Sequence, residues 1–208
     1  MPTQPPAAPR GLTRKGQATR ERIVATAADL IFEKGVDHTT IDDVRTAANV
    51  SSSQLYHYFD DKPALVRAVV EHQADTIVGG QEQFDLSSLR GFRKWREFVV
   101  SYERSLNCRG GCPIGSLGGQ LSETDQDARE TLAVGFKRWE QTIRTGLRSM
   151  QELGRLRRQA DPDKLALATL AALQGGLLLS QIERNTRPLE AALDAMIDLI
   201  ESQSAKRA

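Results

Sequence analysis

Apolar residues recur along this chain at intervals of three and four, the spacing of one face of an α-helix, and no stretch alternates as a half-buried strand would. The first such face consists of Ile23, Ala27, Leu30 and Ile31. It ends at Lys34 and Gly35, a basic last turn followed by a glycine that can cap the helix. The pattern therefore predicts a first helix over about residues 16–34.

Two short helices are predicted next. Thr40 can cap the second helix, with Asp43 as the acidic half of a capping box. Asn49 tolerates the left-handed backbone of a tight turn, and Ser51 can cap a third helix over about 52–58. Such a pair, whose second member begins with small polar residues, is what a helix-turn-helix needs to enter the DNA major groove. On spacing alone, an ordinary helical hairpin with a polar outer face remains an alternative.

Caps, prolines and glycines separate the later helices. Asp61 can cap and Pro63 can open the fourth helix, and the apolar pattern restarts only beyond Gly79, Gly80 and the polar stretch 85–90. The fifth has an apolar stripe formed by Phe92, Trp95, Val99, Tyr102 and Leu106. A short sixth helix precedes the seventh, for which Thr124 is the predicted cap. The stripe of the seventh consists of Leu132, Phe136, Trp139, Ile143, Leu147 and Met150.

The eighth and ninth helices are predicted to open at Pro162 and Pro188. The eighth is apolar on nearly every side from Leu165 to Ile182, which raises the alternative of a membrane span. We reject it because the stretch contains Gln174, glycines and hydroxyl groups and lacks flanking aromatic anchors. A helix this apolar in a soluble protein is buried on more than one side. The sequence thus predicts an all-α fold of about nine helices and no membrane partner.

Charge clustering singles out the N-terminal region. The net charge of the 208 residues is only +1, so local concentration of Lys and Arg is what matters for nucleic acid. One such cluster consists of Arg10, Arg14, Lys15, Arg20 and Arg22. We predict a basic, disordered arm over residues 1–15, although a solvated tail would have the same composition. The first residues do not resemble a signal peptide, which predicts a cytoplasmic protein.

No motif points to catalysis, a cofactor or a metal. His38, His57 and His72 lie in or next to the predicted helix-turn-helix, without an accompanying metal or phosphate motif. Cys108 and Cys112 are too few for a disulfide-stapled fold or a zinc site. They precede the sixth helix, whose dipole could lower the pKa of Cys112. A thiol-based redox sensor is therefore an alternative to two ordinary free thiols.

Three segments resemble the N-terminal domain of TetR/AcrR-type repressors almost position for position. They are Thr-Arg-Glu-Arg-Ile with the following Ala-Ala-Asp-Leu-Ile-Phe-Glu-Lys-Gly, then Thr-Thr-Ile-Asp-Asp-Val, then Val-Ser-Ser-Ser-Gln-Leu-Tyr-His-Tyr-Phe-Asp-Asp-Lys. The resemblance covers about residues 16–70. Two positions depart from the family pattern: Asn49 stands where glycine is common, and Tyr58 where histidine is common. Asn also accepts the turn, but the resemblance does not define how Tyr58 would contact DNA.

This resemblance implies a DNA-binding domain over residues 16–62. In its third helix, the helical geometry itself predicts that Leu55 and Phe59 face inward. The residues expected to contact operator DNA are Thr39, Thr40, Arg45, Ser52, Ser53, Gln54, Tyr56, His57, Tyr58 and Lys62. Among them, Thr40 is expected to touch phosphate and Lys62 to hold the DNA backbone. The two recognition helices of a dimer would then bind successive major grooves.

The segment from Gly111 to Leu117 resembles one found in the LmrA/YxaF-like branch of these regulators, in which helices five to eight enclose a pocket for a lipophilic effector. The resemblance implies a ligand-binding and dimerisation domain over residues 63–208. The predicted lining consists of Trp95, Phe98, Tyr102, Leu117, Phe136, Trp139 and Leu173. For each of these residues, ordinary core packing is the alternative.

Helices eight and nine are expected to form a homodimer, because they offer more apolar surface than one small domain hides. The residues expected at this interface are Leu178, Ile182, Leu193, Met196 and Ile197. The sequence thus predicts a dimeric repressor of palindromic operator DNA. By the resemblance, a small lipophilic or aromatic effector would release it from the DNA.

Overall fold

The computed structural model describes residues 12–81 and 83–205, and within those ranges it is all-α, with nine helices and no β-strand. This confirms the fold class that the hydrophobic spacing predicts. The helices are α1 (Arg14–Lys34), α2 (Ile41–Ala47), α3 (Ser52–Tyr58), α4 (Lys62–Gln81), α5 (Leu89–Ser105), α6 (Pro113–Leu121), α7 (Gln126–Glu152), α8 (Pro162–Glu183) and α9 (Arg187–Ser202).

The chain divides into two compact units, the first ending at Val69 and the second beginning at Val70. This division falls inside α4 rather than at the sequence-based position between residues 62 and 63. Leu65 and Val66, in the first two turns of α4, are buried and belong to the first unit by this division.

In the first unit, α1 begins two residues earlier than predicted. The Thr13 side chain accepts a hydrogen bond from the backbone N–H of Gly16 at 3.2 Å, which caps the helix. Arg14 and Lys15 are therefore helical, and the prediction of an arm reaching residue 15 is wrong for them. Residues 1–11, with Arg10, lie outside the described residues.

Two residues of the predicted basic cluster have contacts inside the first unit. The Arg20 guanidinium lies 5.2 Å from the centroid of the Phe59 ring, within cation–π range. Arg22 donates a hydrogen bond to the backbone carbonyl of Ala48 at the end of α2. Because these cations connect α1 to the helix pair, they stabilise the unit and do not form a loose basic tail.

In the second unit, α8 packs closely against α9. A Cβ added to Gly176 would lie 2.9 Å from the Cα of Leu189, so only glycine permits this approach. The hydroxyl of Ser180, buried in α8, accepts a hydrogen bond from the backbone N–H of Leu189 at 3.2 Å. This satisfies an N–H of the first turn of α9, where Thr186 makes no side-chain cap.

The length and composition of α8 would suffice to cross a membrane, and 44% of its most apolar window is buried inside the protein. Leu165, Leu170, Leu173 and Leu177 are all buried there. Packing within a helical unit therefore accounts for much of the apolar character of α8.

Two further predicted helix boundaries differ from the structure. α4 continues through Gly79 and Gly80 to Gln81, where a break was predicted. Asp125, not Thr124, caps α7, because its side chain accepts from the backbone N–H of Ala128 at 2.9 Å. In both cases the residue type is a common helix terminator or cap, but neighbouring geometry decides whether it acts as one.

The predicted dimer residues separate into two groups. Leu193 and Ile197 on α9 are only 0% and 5% exposed, so their prediction as interface residues is wrong: they belong to the core of their own chain. Leu178 and Ile182 on α8 are 56% and 67% exposed. Met196 is half-buried.

Candidate DNA-binding surface and ligand cavity

A capping box fixes the start of α2. The Thr40 hydroxyl oxygen accepts from the backbone N–H of Asp43 at 3.1 Å, and the Thr40 N–H donates to the Asp43 carboxylate at 2.9 Å. The same hydroxyl donates to that carboxylate at 2.7 Å. These hydrogen bonds with Thr40 lower the pKa of Asp43. Thr40 is exposed, but its hydroxyl proton is already engaged.

A tight turn and a second capping box set the direction of α3. Asn49 adopts a left-handed φ of 50°, as predicted from its tolerance of this conformation. Ser51 accepts from the backbone N–H of Gln54 at 3.2 Å, and the Gln54 side-chain oxygen accepts from the Ser51 N–H at 3.0 Å. The cap occupies the oxygen of the Gln54 amide, which leaves the amide nitrogen as the donor for an outside partner.

Two apolar residues anchor α3 to the unit and expose its opposite face. Leu55 and Phe59 are 0% and 3% exposed, which confirms that both face inward. Five of the predicted contact residues on α3 are exposed, namely Ser52, Ser53, Gln54, Tyr56 and His57. Their side chains combine hydroxyl, amide, phenol and imidazole groups, which can bond to phosphates and base edges.

Tyr58 is the last residue of α3 and Lys62 the first of α4, and both are half-buried. The Tyr58 ring meets His57 edge-on, with the ring centroids 4.9 Å apart. Lys62 is the first residue of α4, which Asp61 caps by accepting from the backbone N–H of Ala64 at 2.7 Å. Backbone N–H groups at a helix start favour anions, so the Lys62 ammonium adds charge to a position suited to phosphate.

Arg45 is half-buried and is paired within its own helix. Its Nε donates to the Asp42 carboxylate at 2.7 Å, and this interaction raises the pKa of Arg45. The carboxylate neutralises much of the local positive charge. A phosphate contact by Arg45 would therefore require it to exchange partners.

Thr39 does not belong to the exposed set. It is 2% exposed, and its hydroxyl donates to the backbone carbonyl of Gly35 at 2.9 Å, with Leu30 at 3.3 Å as a second acceptor. The prediction that its side chain contacts DNA is corrected, because a buried hydroxyl satisfied by backbone carbonyls has no access to phosphate. Its role is to secure the turn after α1.

The second unit contains a cavity of about 290 Å³. α4 contributes Gln73, Thr76, Ile77, Gly80 and Gln81, and α5 contributes Phe98, Val99, Tyr102 and Glu103. The remaining lining residues are Gly111, Cys112, Pro113, Trp139, Leu173 and Leu177. Because Phe98 and Tyr102 are 41% and 55% exposed, the aromatic wall also reaches the surface. A mostly apolar cavity with a few polar groups is the usual form of a small-molecule site.

Four of the seven predicted lining residues are in this wall: Phe98, Tyr102, Trp139 and Leu173. Trp95 is 1% exposed and its indole N–H donates to the Gln81 side chain at 2.5 Å, so it supports the wall from behind. Leu117 is buried and Phe136 half-buried, and neither lines the cavity. For these three residues the prediction is corrected in favour of packing.

The residues that α4 contributes to the cavity lining are missing from the lining predicted from the sequence. Its polar residues Gln73 and Gln81 look like a solvated helix face, and Gly79-Gly80 looks like a break. In the structure the helix continues, and a Cβ built on Gly80 has no atom of the described part of the chain within 4 Å. The pair of glycines was the available indication, since small residues in a continuing helix leave space beside it.

The cysteines do not have the environment of reactive thiols. Cys108 and Cys112 are both free and buried. Burial raises the pKa of each thiol, although the backbone N–H of Gly115 donates to the Cys112 sulfur at 3.4 Å. The prediction that the start of α6 lowers the pKa of Cys112 is therefore wrong, because desolvation outweighs the helix-terminal hydrogen bonds.

No group of three or more His, Cys, Asp or Glu side chains suited to a metal ion occurs in the described part of the chain. What the structure does contain is a helix-turn-helix with an exposed polar recognition face and a separate helical unit with an apolar cavity. These features define a DNA-binding transcriptional regulator.

Comparisons with known proteins give the family. Residues 23–69 match the model described as bacterial regulatory proteins, tetR family, and residues 89–196 match the tetracyclin repressor-like C-terminal domain. The chain belongs to the TetR family, whose members bind operator DNA and act as dimers. It is a DNA-binding transcriptional repressor of this family.

Relatives and solved structures agree with this assignment. The transcriptional repressor DhaR of Mycobacterium sp. (strain GP1) is 26% identical over 87% of this chain and 91% of DhaR. A TetR transcriptional regulator from Chloroflexus aurantiacus is 28% identical, with a TM-score of 0.76 over 92% of this chain and 98% of that one. Reduced NemR of Escherichia coli has the same fold, with a TM-score of 0.75 at 24% identity, over 92% of this chain and 99% of NemR.

Proposed function

We propose that this chain is a cytoplasmic, ligand-responsive repressor that binds a palindromic operator as a homodimer and releases it when a small lipophilic or aromatic effector enters the cavity. The observation that carries the proposal is the 290 Å³ cavity with its aromatic wall, in a chain whose other unit presents an exposed helix-turn-helix face. The segment Gly111–Pro113 of this chain lines the cavity. It is part of the stretch whose resemblance suggests the LmrA/YxaF-like branch, so its position supports placing the chain there.

In this proposal, α3 enters the major groove. Gln54 and His57 donate to base edges, while the hydroxyls of Ser52 and Ser53 and the phenol of Tyr56 bind phosphate oxygens. Tyr58 and Lys62 complete the phosphate contacts at the start of α4. Thr40 and Arg45 contribute after exchanging their intrahelical acidic partners for phosphate.

The effector acts by preferring one arrangement of the dimer. If the cavity holds the ligand better when the two recognition helices no longer match successive major grooves, the ligand shifts the population away from DNA. The shift is limited by the difference in affinity between the two arrangements.

The DNA-binding half of the proposal is tested with an operator selected by the wild-type protein from a random pool of duplexes. We expect an inverted repeat and a steep loss of affinity with salt. Tyr56→Ala should lose about tenfold or more in affinity, while Phe32→Ala, which also removes an exposed aromatic ring from the first unit, should bind as the wild type. Equal affinity of the Tyr56 variant would remove that residue from the contact set.

The effector half is tested by two matched glycine variants in α4. A Cβ at either Gly79 or Gly80 meets none of the described residues within 4 Å, but of the two only Gly80 lines the cavity. Compounds that release the selected operator should therefore still act on Gly79→Leu and lose their effect on Gly80→Leu. Release that is unchanged in Gly80→Leu would place the effector elsewhere.

A further inference from the structure

The cavity contains one acidic side chain with an unpaired oxygen. Glu103 lines the cavity and is 2% exposed, and its Oε2 is buried with no hydrogen-bond partner among the described residues. An unpaired carboxylate away from water is unfavourable, and burial accordingly raises the pKa of Glu103. The protein thus provides an acceptor that its own side chains leave unfilled.

The walls around this carboxyl group suit a positive charge. Phe98 and Tyr102 are stacked on one side, with ring centroids 6.4 Å apart and ring planes 17° from parallel, and Trp139 also lines the cavity. Aromatic faces attract cations. Of these three rings Trp139 is buried, while Phe98 and Tyr102 also reach the surface. None of the described lining residues is Lys, Arg or His. A ligand anion would therefore meet Glu103 without a cationic lining side chain to compensate it.

A second buried polar atom belongs to a residue that lines the cavity. The indole Nε1 of Trp139 is buried and has no acceptor among the described residues. It contrasts with the indole of Trp95, whose N–H is satisfied by Gln81. A ligand with a hydroxyl, ether or carbonyl oxygen would give the Trp139 N–H its missing partner.

We propose that the effector of this cavity is a hydrophobic organic cation, an aromatic amine bound in its protonated form, whose ammonium group donates to Glu103. This inference rests on the proposed function, namely that the cavity is the effector site. The apolar body of the amine lies against Phe98, Tyr102 and Leu177. The ammonium group supplies the charge and the hydrogen bond that burial denies the carboxylate, so binding is selective for cations over neutral molecules of the same shape.

Three probes of one shape test this selectivity: phenylbutylamine, phenylbutanol and phenylbutanoate, titrated calorimetrically into the full-length protein. The wild type should bind the amine about tenfold or more tightly than the alcohol, and the carboxylate most weakly. Glu103→Gln keeps the side-chain shape and should reduce the preference of the amine over the alcohol to about twofold or less. Glu97→Gln, an exposed position on the same helix, should keep it.

The outcomes separate the two proposals. Any of four results would overturn the cationic effector. They are equal binding of the amine and the alcohol to the wild type, tighter binding of the carboxylate, no binding of the amine, and a preference for the amine that survives Glu103→Gln. If the alcohol binds the wild type as tightly as the amine and both are lost in Gly80→Leu, the cavity remains the effector site and only the charge preference fails. Binding that is unchanged in Gly80→Leu would remove the cavity, and the proposed effector site with it.

Discussion

The exposed apolar face of α8 should be a dimer contact, and Ile182→Asp tests it. Ile182 is 67% exposed in the single chain, so two thirds of its surface is available to a partner. Full burial of such a side chain is worth about 1.5–3 kcal/mol, and the available share therefore contributes roughly 1–2 kcal/mol. A two-fold interface contains both copies, which gives about 2–4 kcal/mol in total.

The aspartate adds a second cost because both copies of the charge are desolvated together. We expect the dimer dissociation constant to rise on the order of a hundredfold, since each 1.4 kcal/mol is about tenfold. Analytical ultracentrifugation over a concentration series measures this directly. Circular dichroism should show an unchanged helix content, because Ile182 is not part of the core of its own chain.

Leu153→Asp is the matched control. Leu153 is 58% exposed at the end of α7. The variant therefore adds a charge at a similarly exposed apolar position, but outside α8 and α9. It should leave dimerisation unchanged. A folded Ile182→Asp protein with the wild-type dissociation constant would refute the α8 interface, and equal weakening by both variants would show that the effect is not specific to this face.

Three further predictions follow from the local environments. Thr40→Ala removes the capping box of α2 and should lower the free energy of unfolding by ~1 kcal/mol, measured by urea denaturation. Burial raises the pKa of Glu103 above 4.5, so the protonated side chain stabilises the fold at low pH, and this stability is lost as pH rises through the raised pKa. Over that pH window, Glu103→Gln should become more stable relative to the wild type, by ~1.4 kcal/mol for each tenfold difference in acid constant between the folded and unfolded states. Glu97→Gln should not show this gain. Cys108 and Cys112, with raised thiol pKa values, should react with dithionitrobenzoate more slowly than a free thiol at neutral pH, and rapid reaction of the native protein would contradict this assignment.

The sequence determined the helical class and most helix ends, because both depend on residues close together in the chain. The spacing of apolar residues defines a helix face whatever lies opposite it. Caps such as Thr40 and Ser51 act on backbone groups three residues away, and Asn49 needs only its own tolerance of a left-handed backbone. Local chemistry was sufficient to predict the two short helices, the turn between them and the inward positions of Leu55 and Phe59. The resemblance to TetR/AcrR-type repressors then favoured a helix-turn-helix over an ordinary helical hairpin.

Only the tertiary structure decided which apolar and polar side chains are accessible. Leu193 and Leu178 look alike in sequence, yet the first packs inside its own chain and the second is exposed. The hydroxyl of Thr39 is also inaccessible, because the residue is buried and the backbone carbonyls of Gly35 and Leu30, four and nine residues earlier, accept its proton. Burial also reversed the expected pKa shift of Cys112 and left the Oε2 atom of Glu103 without a hydrogen-bond partner among the described residues. Accessibility and desolvation depend on neighbours far away in the chain, and the periodicity of a single helix does not specify those neighbours.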